Sequence, residues 1–225
     1  MKGFKLLIAL LGFWASAQLA AQPITPQLSE LPYFVDQGLT PSWPNASREL
    51  THRIAEFALV DQRGTVVQTQ FPSAQIRVVN FFFTSCPGIC PLTMQNLREV
   101  QAAIAGKGRM LSISVTPTID TPERLDAYAQ SMEIDAGRWS LLTGDSEEIR
   151  LLARDAFFAT LTRNADERAT VHTEKAFLID TQGFIRGVYN ATSRADVARL
   201  VEDLEMLYAE NQDDLSVVAA LTGNK

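Results

Sequence analysis

The stretch IRVVNFFFTSCPGICPLTMQNL, Ile76 to Leu97, changes character in its middle. Its first eight residues are an apolar run of β-branched and aromatic side chains, broken only by Arg77 and Asn80, and read as a strand buried on both faces. From Pro91 to Ala105 the apolar residues Met94, Leu97, Val100 and Ile104 recur three and four apart, and Gly106 stops the pattern. That spacing predicts a helix. Between strand and helix lie Cys86 and Cys90, the only two cysteines of the chain, each followed by proline. RMLSISV, Arg109–Val115, reads as the next strand. Strand, helix and strand make a right-handed crossover with parallel strands.

Working outward, HRIAEFALVDQRGTVV predicts a hairpin turning at Asp61–Gly64. Residues 22–50, rich in Pro, Ser, Thr and Gln, read as an extended arm with little regular structure. Downstream, Thr121-Pro122-Glu123 starts a helix to about Met132, and WSLLTG is a short strand. Asp145 caps a helix to about Phe158, with Glu148 in the capping-box position. KAFLID and FIRGVYN flank Thr181-Gln182-Gly183 as a second hairpin, and Ser193 caps a last helix to about Ala209. This order fits an α/β, thioredoxin-like three-layer sandwich with a central mixed sheet, an N-terminal β-hairpin and flanking helices. The expected domain is 51–210, preceded by the arm and followed by a tail, 211–225. Both cysteines then fall at the C-terminal end of a central strand, the usual ligand edge of an open α/β sheet.

The chain has 225 residues, 46% apolar and 20% charged, enough to bury a full core without a disulfide staple. Lys2 and Lys5, the apolar run Leu6–Ala17 and the small residues up to Ala21 have the layout of a secretory signal, residues 1–21. An uncleaved anchor is the alternative, although Gln18 interrupts a run shorter than the ~20 residues a span needs. No cysteine follows that run, which argues against a lipoprotein. The expected location is the periplasm or another exported compartment, where thiols oxidise unless reduced or ligated. Loss of Lys2 and Lys5 takes the net charge from −6 to about −8. That argues against nucleic acid and against a polybasic membrane contact. Membrane association is expected only if the N-terminal segment stays uncleaved.

Cysteines four apart at the start of a helix allow a disulfide, a redox couple or two thiolates on one metal. The thioredoxin-type redox motif has two intervening residues; this chain has three. A metal site wants a third ligand, and the chain has two histidines, His52 and His172. His172 precedes the C-terminal hairpin, in a loop that a thioredoxin-like fold sets beside the cysteine turn. Two thiolates and an imidazole suit Cu(I), and with a water could hold Zn²⁺. His52 reads as a surface residue. Asp120, before a helix, reads either as an acid supporting the site or as a turn or cap residue. Asn45-Ala46-Ser47 and Asn190-Ala191-Thr192 are glycosylation sequons in form only.

Four segments together resemble the Sco/SenC copper-binding proteins over about residues 52–205: HRIAEFALVDQRG, VVNFFFTSCPGICPLTMQNLREVQ, LSISVTPTIDTPERLDAYAQ and VHTEKAFLIDTQGFIRG. The resemblance implies a copper ion on Cys86, Cys90 and His172. It further implies a role in building the dinuclear copper centre of cytochrome c oxidase, with oxidase subunit II or another copper-accepting protein as partner. It is the role of a metallochaperone rather than of an enzyme. The rival is a thiol–disulfide oxidoreductase that reduces a partner's cysteines through the redox-capable pair Cys86 and Cys90. The chain departs from the family where many members carry charge: Gly88 replaces an acid, Thr116 an Asp, Ile119 an Arg and Val171 an Asp.

Overall fold

The computed structural model describes residues 30–43, 52–159, 161–163, 169–171 and 174–222. Two short strands, β1 (Tyr33–Phe34) and β2 (Pro41–Ser42), pair with each other. The first expected hairpin is β3 (Phe57–Asp61) and β4 (Val66–Thr69). The crossover is β5 (Ile76–Phe82), α1 (Ile89–Ala103) and β6 (Gly108–Ser114), with β5 and β6 parallel. Then come α2 (Pro122–Ser131), β7 (Trp139–Thr143) and α3 (Ser146–Leu151). A small antiparallel pair follows, β8 (Leu161–Arg163) and β9 (Ala169–Val171). The chain ends in β10 (Lys175–Ile179), β11 (Ile185–Asn190) and α4 (Arg194–Thr222).

Seven strands form one mixed sheet in the order β11-β10-β5-β6-β7-β3-β4. The two hairpins close opposite edges, so β5 and β6 are central and carry a strand on each side. Every residue of β5 is buried, the polar Arg77 and Asn80 included, as a central strand covered on both faces requires. Ile76, Val78 and Phe82 face a core shared with α1, α2 and α4 through Met94, Leu97, Leu125, Leu200 and Leu204. Val79 and Phe81 face a second core with Ile149, Leu152 and Phe157. Strand periodicity of two thus sorts one segment into both outer layers of the sandwich.

Several elements differ from the sequence reading, the unpredicted pair β8–β9 among them. The helix expected from Asp145 to Phe158 is α3 followed by a π-helical turn, Leu152–Ala156, which buries Leu152, Ala153 and Ala156. Asp145 caps it as expected, accepting from the N–H groups of Glu147 and Glu148. Helix α4 runs to Thr222 rather than about Ala209, and the next glycine in the chain is Gly223. In the arm, Leu31 enters the first core, and the buried Arg186 holds its carbonyl at 2.8 Å. Arg186 also stacks on Tyr33 and pairs with Glu210, so the arm is tied to β11 and α4. A lone basic residue in a strand carried no sequence signal for that contact.

Candidate metal centre

Strand β5 ends at Phe82 and its backbone carbonyl accepts from Val115 N–H at 2.9 Å, which fixes the start of the turn. Cys86 N–H reaches back to Phe83 O at 3.4 Å. Helix α1 then starts at Ile89, two residues before the expected Pro91, so Cys90 lies in its first turn and Cys86 lies ahead of it. Gly88, at the cap position, offers no side chain to the unpaired N–H groups of that turn. The sulfur of Cys86 fills the role, accepting from Cys90 N–H at 3.4 Å. The proline after each cysteine suits this layout: Pro91 sits in the first helical turn, where its missing N–H leaves nothing unbonded.

The two thiols are free and unlike each other: Cys86 is half-buried and Cys90 buried. Burial pushes the Cys86 thiol up, but the Cys90 thiol and the N–H groups of Gly88, Cys90 and Ile89 outweigh it, so it lies below the ordinary value. Burial, and donation of its proton to Cys86, push Cys90 up to about 12. The pair is therefore one accessible sulfur poised to ionise and one inner sulfur that keeps its proton. Tyr128, on α2, packs against Phe82 with ring centroids 5.7 Å apart. Burial first, then the neighbouring acidic groups Cys90, Cys86 and Asp120, push its phenol up to about 12.

Asp120 is fully buried beneath this turn. It accepts from Thr84 N–H at 3.1 Å, from the Thr84 hydroxyl, from Ser114 Oγ at 2.6 Å and from Thr116 Oγ1 at 3.1 Å. The cap of α2 is Thr121, whose side chain accepts from Arg124 N–H. Of the two expectations for Asp120, support of the site is the one these bonds favour.

His172 lies outside the described residues. His52 was expected on the surface; it is instead half-buried, with Nε2 2.9 Å from Ala156 O and its ring 4.2 Å from that of Phe158. It belongs to the joint between the chain before β3 and the π-helical turn. Among the described residues no cluster of three or more His, Cys, Asp and Glu side chains could hold a metal. The donors that the described residues supply are the two thiols. Soft sulfurs at a helix N-terminus fit a soft ion such as Cu(I). Among the described residues no helix is long and apolar enough to cross a membrane.

The sequence profile described as SCO1/SenC matches residues 45–209. The SCO1 protein homolog of Bacillus subtilis (strain 168) is 24% identical over 160 residues, 69% of this chain and 83% of that protein. The crystal structure of a SCO1/SenC family lipoprotein from Bacillus anthracis superposes with a TM-score of 0.63 at 26% identity, covering 72% of this chain and 99% of that one. ScoI of Bradyrhizobium japonicum, a structure with copper bound, superposes with a TM-score of 0.56 at 25% identity, covering 70% and 99%. A profile match across the sheet, the cysteine turn and most of α4 shows the family: the chain belongs to SCO1/SenC.

Proposed function

We propose that the protein is an exported copper carrier that holds one copper ion through Cys86, Cys90 and His172. It hands that ion to cytochrome c oxidase subunit II or another copper-accepting protein. The observation that carries this reading is the cysteine turn: two free, unlike sulfurs gathered at the first turn of α1 at the ligand edge of the sheet. The copper bound in the Bradyrhizobium japonicum relative supports the choice of metal. For the third ligand, the support is topological. Ala176 in β10 sits opposite Asn80 in antiparallel β5, so β10 begins at the edge where β5 ends. His172 is three residues before Lys175, the first residue of β10. The copper-binding unit is residues 51–210, and residues 1–21 are a signal removed on export. Mass spectrometry of the exported protein would read an N-terminus near residue 22; an intact Met1 in a membrane fraction would favour an anchor.

One observation favours the thiol–disulfide reading: an accessible sulfur of lowered pKa beside a buried one of raised pKa is the asymmetry of an attacking and a resolving cysteine. In that reaction Cys86 thiolate attacks a partner disulfide and expels one partner thiol. Cys90 then loses its proton and displaces the second, leaving a Cys86–Cys90 disulfide and a reduced partner. His172→Ala separates the two functions. A copper carrier loses oxidase copper-centre assembly in cells and keeps thiol exchange, because exchange depends on the sulfurs. A thiol reductase keeps both in that variant and fails only when a cysteine is changed.

A further inference from the structure

We infer that Thr84, Asp120 and Arg124 form a positioning unit that holds the cysteine turn in its binding geometry without touching the metal. Asp120 comes from the loop between β6 and α2, 36 residues beyond Thr84. A carboxylate offers about four lone-pair directions. Here Oδ2 accepts from Thr84 N–H, Ser114 and Thr116, Oδ1 accepts from the Thr84 hydroxyl, and the half-exposed Arg124 guanidinium adds its charge 3.6 Å from Oδ1. Asp120 is fully buried, both its oxygens are engaged within the protein, and Oδ1 faces a guanidinium, which suits a supporting role and not a metal ligand.

The Thr84 hydroxyl is the centre of the unit. It donates to Asp120 and accepts from Arg124 Nε at 2.7 Å, so the β6–α2 loop, α2 and the turn meet on one oxygen. Thr84 stands two residues before Cys86, while Ser85, Pro87, Gly88 and Ile89 beyond it are exposed. Beyond the Phe82–Val115 bond, the Asp120 contacts tie Thr84, on the N-terminal side of the turn, to the β6–α2 loop. The C-terminal side is tied through Cys86 sulfur to the first turn of α1. A metal held by two sulfurs needs both ends fixed, because supporting groups of this kind typically carry 10–100-fold in metal affinity.

The inference shares its site with the copper reading, so the test has one arm that needs no copper. Thr84→Val keeps the shape of the side chain and removes the hydroxyl; Thr84→Ser restores it. In the reduced, copper-free full chain, amide hydrogen exchange at residues 84–90 is expected to quicken about tenfold or more in Thr84→Val. In β6 and β7 it should keep its rate, and Thr84→Ser should return near the parent protein. Unchanged exchange in the turn, or equal loosening of turn and sheet, would overturn the positioning role. In the second arm, Cu(I) affinity is measured by competition with a chromogenic chelator. Thr84→Val should weaken it about tenfold or more, and Thr84→Ser should recover most of that. Full affinity in a Thr84→Val chain whose turn has loosened would also overturn the inference. A parent protein that takes no copper refutes the carrier reading and leaves the exchange result to decide the positioning role. Arg124→Gln, at an exposed position, should give the same pattern with smaller changes, and no change in the turn would remove Arg124 from the unit.

Discussion

Two hairpin turns of the main sheet are built alike, and the cysteine turn is built differently from both. At Asp61–Thr65 and Asp180–Phe184 an aspartate accepts from the N–H groups two and four residues on, with a glycine at positive φ three residues on. Each such turn is complete within five residues. The turn at Thr84–Gly88 also depends on an aspartate, but that aspartate arrives from across the β6–α2 loop. Its glycine, Gly88, has no positive φ, and a sulfur serves in place of a capping side chain. Hairpin turns are built by local hydrogen bonding and tolerate isolation in sequence. The cysteine turn is built by the fold, which lets its sulfurs stay free for chemistry.

The sharpest break of this comparison lies in the sulfurs themselves. Cys86→Ser and Cys90→Ser should each lower Cu(I) affinity about 100-fold or more, since thiolates supply the soft-ligand preference. Competition with a Cu(I) chelator reads the effect, and retained affinity in either variant removes the turn from the metal site. Binding should weaken toward low pH as protons compete for the same sulfurs.

A smaller effect tests the asymmetry of the pair. With limiting iodoacetamide near pH 8, peptide mapping should find Cys86 alkylated at least about tenfold faster than Cys90. The half-buried Cys86 sulfur is stabilised as thiolate by the Cys90 thiol and the helix N–H groups, while burial holds Cys90 protonated up to about 12. Equal labelling would mean the turn does not distinguish its sulfurs.

The glycines separate the two kinds of turn at the level of stability. Gly183 has φ +89°, and a Cβ there would lie 2.8 Å from Phe71 Cγ. Gly183→Ala should cost about 1–3 kcal/mol in denaturant unfolding. Gly88 has open space around it. Gly88→Ala should cost clearly less than Gly183→Ala, and the reverse order would show that the cysteine turn is strained.

The smallest expected effect distinguishes the twin hairpins. Burial pushes the Asp61 carboxyl up, but Thr65 N–H, the Arg63 side chain and Arg63 N–H hold it below the ordinary value. Its ionised form is then favoured by folding. That contribution is full above the unfolded value of about 3.9 and is lost as pH falls through the lower folded value. At Asp180 burial outweighs the N–H groups of Phe184 and Gln182 and the charge of Arg186, so the carboxyl lies above the ordinary value. Its contribution has the opposite sign and becomes more favourable as pH falls through the raised folded value. Carboxyl NMR titration should find Asp61 ionising below Asp180; the opposite order would break the distinction.

Much of this was legible before the fold. Apolar runs and three-four spacing mark β5, α1 and β6 because burial on two faces or on one stripe leaves a local pattern. The Asp145 and Thr121 caps were readable because their bonds close within three residues. The π-helical turn and the β8–β9 pair were missed, since neither has a periodicity of its own. Asp120 stayed ambiguous between cap and support because its partners are Thr84, Ser114 and Thr116, and only the last lies within its own loop.

The sequence by itself determined the layered α/β architecture, the cysteine pair at a strand end and the resemblance to a copper-binding family. These rest on local periodicity and on residue type at short spacing. The tertiary structure alone decided that Cys86 caps the helix and ionises more readily than Cys90, and that Asp120 is spent on holding Thr84. It alone decided that Arg186 binds the arm to the domain and that His52 packs against Phe158. Those outcomes depend on which groups are desolvated together. For Asp120, Arg186 and His52 those neighbours lie tens of residues away, and for the cysteines the fold sets how deeply each sulfur of a local turn is buried.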